Sequence, residues 1–93
     1  MIVRFVKLEI QSQHIADFKE LTSGEKEEIE AFEGCSFLEI LQDVNNEKLF
    51  FSHSHWQSEE ALNKYRESAF FRGNWEQVKQ WFAAKPEAWS LER

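Results

Sequence analysis

The stretch Phe50-Phe51-Ser52-His53-Ser54-His55-Trp56-Gln57-Ser58-Glu59-Glu60-Ala61-Leu62 constrains the fold of this chain more than any other part of it. It reads as a β-strand that runs directly into a helix. Residues alternate as far as Trp56, and Ser58 then caps a helix with Glu59 and Glu60 in the first turn, where the helix dipole favours anions. Upstream, Phe32-Glu33-Gly34-Cys35-Ser36-Phe37-Leu38-Glu39-Ile40 reads as a helix stop, a glycine with left-handed backbone and a further strand. Val44-Asn45-Asn46-Glu47 joins the two strands, its paired asparagines suiting the positive φ of a hairpin turn. A helix that turns back through one glycine, a short hairpin and a strand that enters a helix at once leave room only for a tightly packed α+β unit.

The flanking sequence completes that unit. Residues 2–10 alternate, with Ile2, Arg4, Val6, Leu8 and Ile10 on one parity and Val3, Phe5, Lys7 and Glu9 on the other. Both parities carry apolar residues, so both faces of this strand are expected to be covered. Residues 14–32 read as one long helix, with Ile15, Phe18, Leu21, Ile29 and Phe32 near one stripe and an acidic outer face. Thr22 and Glu25 have capping-box spacing, which makes Gly24 its weak point. Strands are expected at 35–43 and 48–56. The helix after Ser58 runs to about Ser68 and buries Ala61, Leu62 and Tyr65. Phe71, Trp75, Val78 and Phe82 then form one face of another helix, and Pro86 precedes a last strand at 87–93. The order β-α-β-β-α-α-β is the ferredoxin-like split βαβ sandwich with an antiparallel sheet, a single domain over residues 1–93.

Such a sheet has helices on one face only. A chain of 93 residues has a thin core, yet this one carries nine Phe and four Trp. Whichever strand parity faces the helices, Phe, Trp or Cys side chains are left on the other face. Exposing them makes a large apolar patch, so pairing of two copies through the sheet, a homodimer, is the expected remedy. The net charge of −6 and the absence of a basic cluster argue against nucleic acid or an anionic membrane as partner. One cysteine, no signal-like start and no apolar run of membrane-spanning length lead to the expectation of a cytoplasmic protein.

Glu33-Gly34-Cys35, Trp56-Gln57-Ser58-Glu59-Glu60-Ala61-Leu62, then Tyr65, Ser68, Phe71 and Trp75, and the tail Lys85-Pro86-Glu87-Ala88-Trp89-Ser90 together resemble the antibiotic biosynthesis monooxygenase (ABM) domain of the dimeric α+β barrels. The resemblance covers essentially the whole chain. It implies two ferredoxin-like subunits packed sheet to sheet, each with a small pocket. It also implies an oxidoreductase chemistry, oxygenation of small aromatic or quinol-like molecules with no metal or flavin, in which the substrate as phenolate delivers an electron to O₂. Other members of the superfamily degrade haem, isomerise sugars, or have no known reaction. The haem-degrading branch uses an Asn on the first strand and a His on a late helix. Here strand one has no Asn and no His follows His55.

Candidate site residues follow from residue type and from that resemblance. His53 and His55 share a strand face, and imidazole titrates near neutrality, as removal of a phenolic proton requires. The pair also reads as structural or interface histidines, or, less readily, as two metal ligands for which only His14 or Glu39 could supply a third. No metal and no cofactor is expected. Glu39, on a strand face with Cys35, Phe37 and Leu41, is either a base among apolar neighbours or the ion-pair partner of Lys7 or Arg4. The catalytic candidates are thus His53, His55 and Glu39. Phe37, Phe51, Trp56 and Trp75 are expected as pocket walls, and the resemblance adds the region of Asn63 and Tyr65. The alternatives are a non-catalytic dimeric barrel that binds a small ligand or serves a stress response, and an isomerase on the same frame.

Overall fold

A computed structural model describes all 93 residues. The elements are β1 (Ile2–Glu9), α1 (Ile15–Glu30), β2 (Cys35–Gln42), β3 (Leu49–Trp56), α2 (Glu59–Glu67), α3 (Ala69–Val78) and β4 (Glu87–Glu92). Short 3₁₀ turns at Ser12–His14 and Lys79–Trp81 precede α1 and follow α3. The four strands form one antiparallel sheet in the order β2-β3-β1-β4. This is the ferredoxin-like arrangement, with helices on one face.

Strand parity decides what meets the helices. The even residues of β1 and β3, with Leu38 and Ile40 of β2, face them. There Leu8, Ile10 and Phe50 pack with Phe18 of α1 and Val78 of α3. Leu38 and Trp56 pack with Ile29 of α1 and Leu62 of α2. Phe18 and Ile29 lie eleven residues apart, three helical turns, so one stripe of α1 reaches both clusters. The helix is continuous through Thr22 and Gly24: Thr22 Oγ1 donates to the Phe18 carbonyl inside the helix instead of capping a new one.

The connections are set by specific side chains. Gly34 has φ 86°, and a Cβ there would lie 2.5 Å from the Ala61 Cβ. Its carbonyl accepts from Gln57 N at 2.7 Å, tying the α1 exit to the start of α2. Both the left-handed backbone and the close approach require glycine. Ser58 Oγ accepts from Ala61 N at the start of α2. Ser68 ends α2 and caps α3, its hydroxyl accepting from Phe71 N. The hairpin corrects the expectation for Asn45 and Asn46, because no residue other than glycine has positive φ. Asp43 organises the turn, with Oδ2 accepting from the backbone of Asn45 at 2.9 Å and Asn46 at 2.8 Å.

A bulge between Cys35 and Phe37 alters the parity of β2. The extra residue puts Cys35 opposite Trp56, against the helix-side core, while Phe37 stands opposite His55. Cys35 therefore does not share a face with Phe37, Glu39 and Leu41. The open face carries Phe37, Glu39 and Leu41 of β2, Leu49, Phe51, His53 and His55 of β3, and their partners on β1. It continues onto Glu87, Trp89 and Leu91 of β4. Leu41, Trp89 and Leu91 are 47%, 44% and 50% exposed, so nothing within the chain covers this surface.

Candidate functional site

Two polar constellations stand on opposite faces of the sheet. On the open face, His53 Nδ1 lies 3.1 Å from Glu39 Oε1, and His53 Nε2 lies 3.1 Å from His55 Nε2. With Nδ1–H of His53 donating to the carboxylate, its Nε2 is an acceptor and takes the Nε2–H of His55. Glu39 thus pairs with His53 and not with Lys7 or Arg4. Lys7 pairs with Glu87 at 3.7 Å, and Arg4 points to the helix side, where its Nη1 donates to Ser90 Oγ at 2.8 Å. Aromatic rings hold the imidazoles in place: Phe5 stacks on His53 at 4.6 Å and Phe37 contacts both histidines. Burial lowers the pKa of His55, the charges of His53 and Arg93 add to that, and Glu39 opposes it. Neutral His55 is therefore favoured in the folded state, and the associated stability is lost as pH falls below the ordinary histidine value of 6.5.

On the helix side, a cavity of about 390 Å³ lies between the sheet and the three helices. Its wall is largely apolar, with Trp56, Tyr65, Phe71 and Trp75 as the aromatic part. Trp56 stacks on Tyr65 at 5.0 Å and Phe71 stacks on Trp75 at 5.7 Å, so the rings support one another. A volume of this size is at the lower end for small-molecule sites, roughly 300–1,000 Å³.

Polar side chains share this wall, and two of them have buried atoms without partners. Glu25 Oε2 of α1 and Asn74 Nδ2 of α3 are buried without a hydrogen bond, and both residues line the cavity. Burial, then the neighbouring Glu28 carboxylate, pushes the Glu25 pKa up to about 7. Burial also raises the pKa of Tyr65, with Glu25 and Cys35 adding to the effect. Its phenol stays protonated at neutral pH. A carboxyl group that ionises near neutrality in an apolar pocket is suited to moving a proton.

The expected site residues therefore divide. Trp56, Tyr65 and Trp75 line the cavity. Phe37, Glu39, Phe51, His53 and His55 are brought together on the opposite face. Asn63 is exposed on α2 and belongs to neither group. Sequence reasoning missed Glu25 and Asn74. Glu25 lies within the acidic run of α1, where its neighbours are solvated and periodicity gives it no distinction. No cluster of three or more His, Cys, Asp or Glu side chains is arranged to hold a metal. No helix is long and apolar enough to cross a membrane.

The family model described as antibiotic biosynthesis monooxygenase matches residues 1–84. Among solved structures, a candidate antibiotic biosynthesis monooxygenase of Nitrosomonas europaea superposes with a TM-score of 0.93 at 19% identity, covering 100% of this chain and 98% of that one. A conserved protein of Methanosarcina mazei gives 0.92 at 19% identity, over 100% of this chain and 93% of the other. A Mycobacterium tuberculosis protein gives 0.91 at 13% identity, over 99% and 93%. No curated protein matches the chain in sequence.

Proposed function

This chain belongs to the antibiotic biosynthesis monooxygenase family, and from that premise we propose that it is a monooxygenase that takes a small aromatic or quinol-like substrate into the helix-side cavity and needs no metal or flavin. The observation that carries the reading is the Glu25 carboxyl, whose Oε2 is buried without a partner on a cavity wall that is mainly apolar. In the proposed reaction, Glu25 takes the proton of a substrate hydroxyl. The phenolate gives one electron to O₂, and the resulting radical pair joins at a ring methylene carbon. The peroxide then collapses to a carbonyl. A CH₂ becomes C=O, one oxygen atom enters the product and the other leaves as water, so the substrate's four electrons match the four that O₂ accepts. The apolar wall keeps bulk water from the radical pair. The test is oxygen uptake over a panel of anthrones and hydroquinones with no added metal or flavin. Uptake with one atom of ¹⁸O₂ entering the new carbonyl of an anthrone supports the reading. No uptake across the panel, or uptake that only oxidises hydroquinones to quinones with peroxide release, overturns it.

A second reading is favoured by the hydrogen-bonded line Glu39–His53–His55. It places the proton-handling groups on the open face, within a barrel formed by two sheets. His55→Ala separates the two readings. Lost turnover in that variant, with turnover retained in Glu25→Gln, moves the site to the open face.

In both readings the open face pairs with a second copy, because Leu41, Trp89 and Leu91 are otherwise left in water. The chain is expected to sediment as a dimer at micromolar concentration, and Trp89→Glu is expected to shift it to monomer. A monomeric wild type in sedimentation velocity defeats the pairing.

A further inference from the structure

The cavity has a second polar feature that the oxygenation chemistry leaves unused. Arg4 of β1 and Arg66 of α2 both line it. The chain has 17 carboxylate residues against 11 Lys and Arg, so spare acids are plentiful. Even so, no carboxylate pairs with either arginine. The ion pairs are Lys7–Glu87, His14–Asp17, His53–Glu39, Lys64–Glu60 and Lys79–Glu76. Arg4 has one side-chain partner, the Ser90 hydroxyl, and Arg66 has none. Glu87 also borders the cavity, but its carboxylate is engaged by Lys7.

Placing two guanidinium groups on one cavity wall costs free energy. Burial, then the charge of Arg66, lowers the pKa of Arg4, so the exposed Arg66 guanidinium is unfavourable to the partly buried Arg4. An anion between them reverses the sign of that interaction. Guanidinium groups are also the side chains best shaped to grip a carboxylate through two parallel hydrogen bonds. The Glu25 carboxyl answers to burial and to Glu28, and neither arginine pulls it down. The cationic and the protonatable parts of the wall are therefore electrostatically separate.

We propose that the substrate is a hydroxylated aromatic acid, held with its carboxylate between Arg4 and Arg66, its rings against Phe71 and Trp75, and its hydroxyl towards Glu25 and Asn74. This rests on the reading of the cavity as the substrate site and adds the charge of the molecule it accepts. A substrate with an anionic end and a phenolic end offers partners to Arg66, Glu25 and Asn74 at once. An uncharged quinol leaves the arginines facing each other.

Binding of three probes, measured by isothermal titration calorimetry at pH 7.5, tests this without turnover. They are 6-hydroxy-2-naphthoate, 2-naphthoate and 2-naphthol. The hydroxynaphthoate is expected to bind at least about tenfold more tightly than 2-naphthol, the scale of one charge-assisted hydrogen bond. Arg66→Gln is expected to remove roughly that factor for both naphthoates and to leave 2-naphthol unchanged. Arg4→Gln should act likewise, and the exposed Arg66 supplies the test if loss of the Arg4–Ser90 bond impairs folding. Lys79→Gln, in the turn after α3 and ion-paired with Glu76, is the control for general charge attraction and should change nothing. Equal affinity for 2-naphthol and the naphthoates overturns the proposal. So do equal losses for all three probes in Arg66→Gln, and so does no binding of any probe. The two readings fail separately. Carboxylate-selective binding with no oxygen uptake removes the oxygenase and leaves the acid site. Oxygen uptake with anthrones, together with equal affinity for 2-naphthol and the naphthoates, does the reverse.

Discussion

Glu25→Gln is expected to slow turnover of an accepted phenol by about 10²–10⁴-fold, the usual contribution of a positioned general base. Glutamine keeps the shape of the side chain but cannot take a proton. The pH profile makes the result specific. The wild-type rate should rise as pH passes through about 7, where the Glu25 carboxylate forms, and the residual rate of the variant should be flat there. Stability should move in the opposite direction. The folded-state pKa lies above the reference value of 4.5, so the folded state holds a proton that the unfolded chain releases. The wild type is therefore favoured below that value and loses stability as pH rises through about 7. Glutamine has no such dependence, so the variant should melt at a higher temperature than wild type at pH 8 and close to it at pH 4.5. A variant that is slower and yet more stable at pH 8 marks a carboxylate kept for chemistry. A variant that is more stable with an unchanged rate removes Glu25 from the reaction.

The framework was legible in the sequence because local signals agreed with one another. The Gly34 exit, the Ser58 cap and the Phe71, Trp75, Val78 part of the last helical face are present, while Phe82, expected on that face, lies beyond the helix with extended backbone and bridges to Ile10. The ferredoxin-like order followed from the sequence of elements alone. Two things were not legible. The bulge at Cys35–Phe37 inserts one residue without any glycine or proline to mark it, and so reverses the parity of Cys35 relative to Glu39. The site depends on which strand parity faces the helices, and both parities of β1 and β3 carry apolar and polar residues. His53 and His55 drew notice because histidine is chemically conspicuous. Glu25 did not, because it is one of many glutamates on an acidic helix, and its burial depends on α1, α2 and the sheet coming together. Arg4 is a similar case: its sequence suggests a cross-sheet ion-pair partner for Glu39, and its place beside the cavity follows only once the strand parity facing the helices is known.

Trp56→Ala is expected to cost about 3–5 kcal/mol of stability, the range for removing a large buried aromatic side chain. Trp56 is 1% exposed and is the largest fully buried side chain in the protein. It ties together three parts of the structure. On the sheet it stands opposite Ile2 and Cys35. Towards the helices it packs with Ile29, Leu38 and Leu62 and stacks on Tyr65. Its Nε1–H donates to Ser54 Oγ at 3.0 Å, and Ser54 is the one buried polar residue. Alanine removes the packing and also leaves that hydroxyl without its donor in an apolar setting. Trp56→Phe isolates the second effect, because most of the ring contact survives. It should cost about 1–3 kcal/mol, the scale of an orphaned buried polar group with some loss of packing. The position also bounds the cavity, so Trp56→Phe should weaken binding of 6-hydroxy-2-naphthoate while leaving the fold intact. Urea unfolding followed by circular dichroism gives the stability values. A loss below about 1 kcal/mol for Trp56→Ala contradicts the packing described for this residue. If Trp56→Phe loses stability without any change in ligand affinity, the indole supports the cavity only from behind, and the aromatic contact to the substrate rests with Phe71 and Trp75.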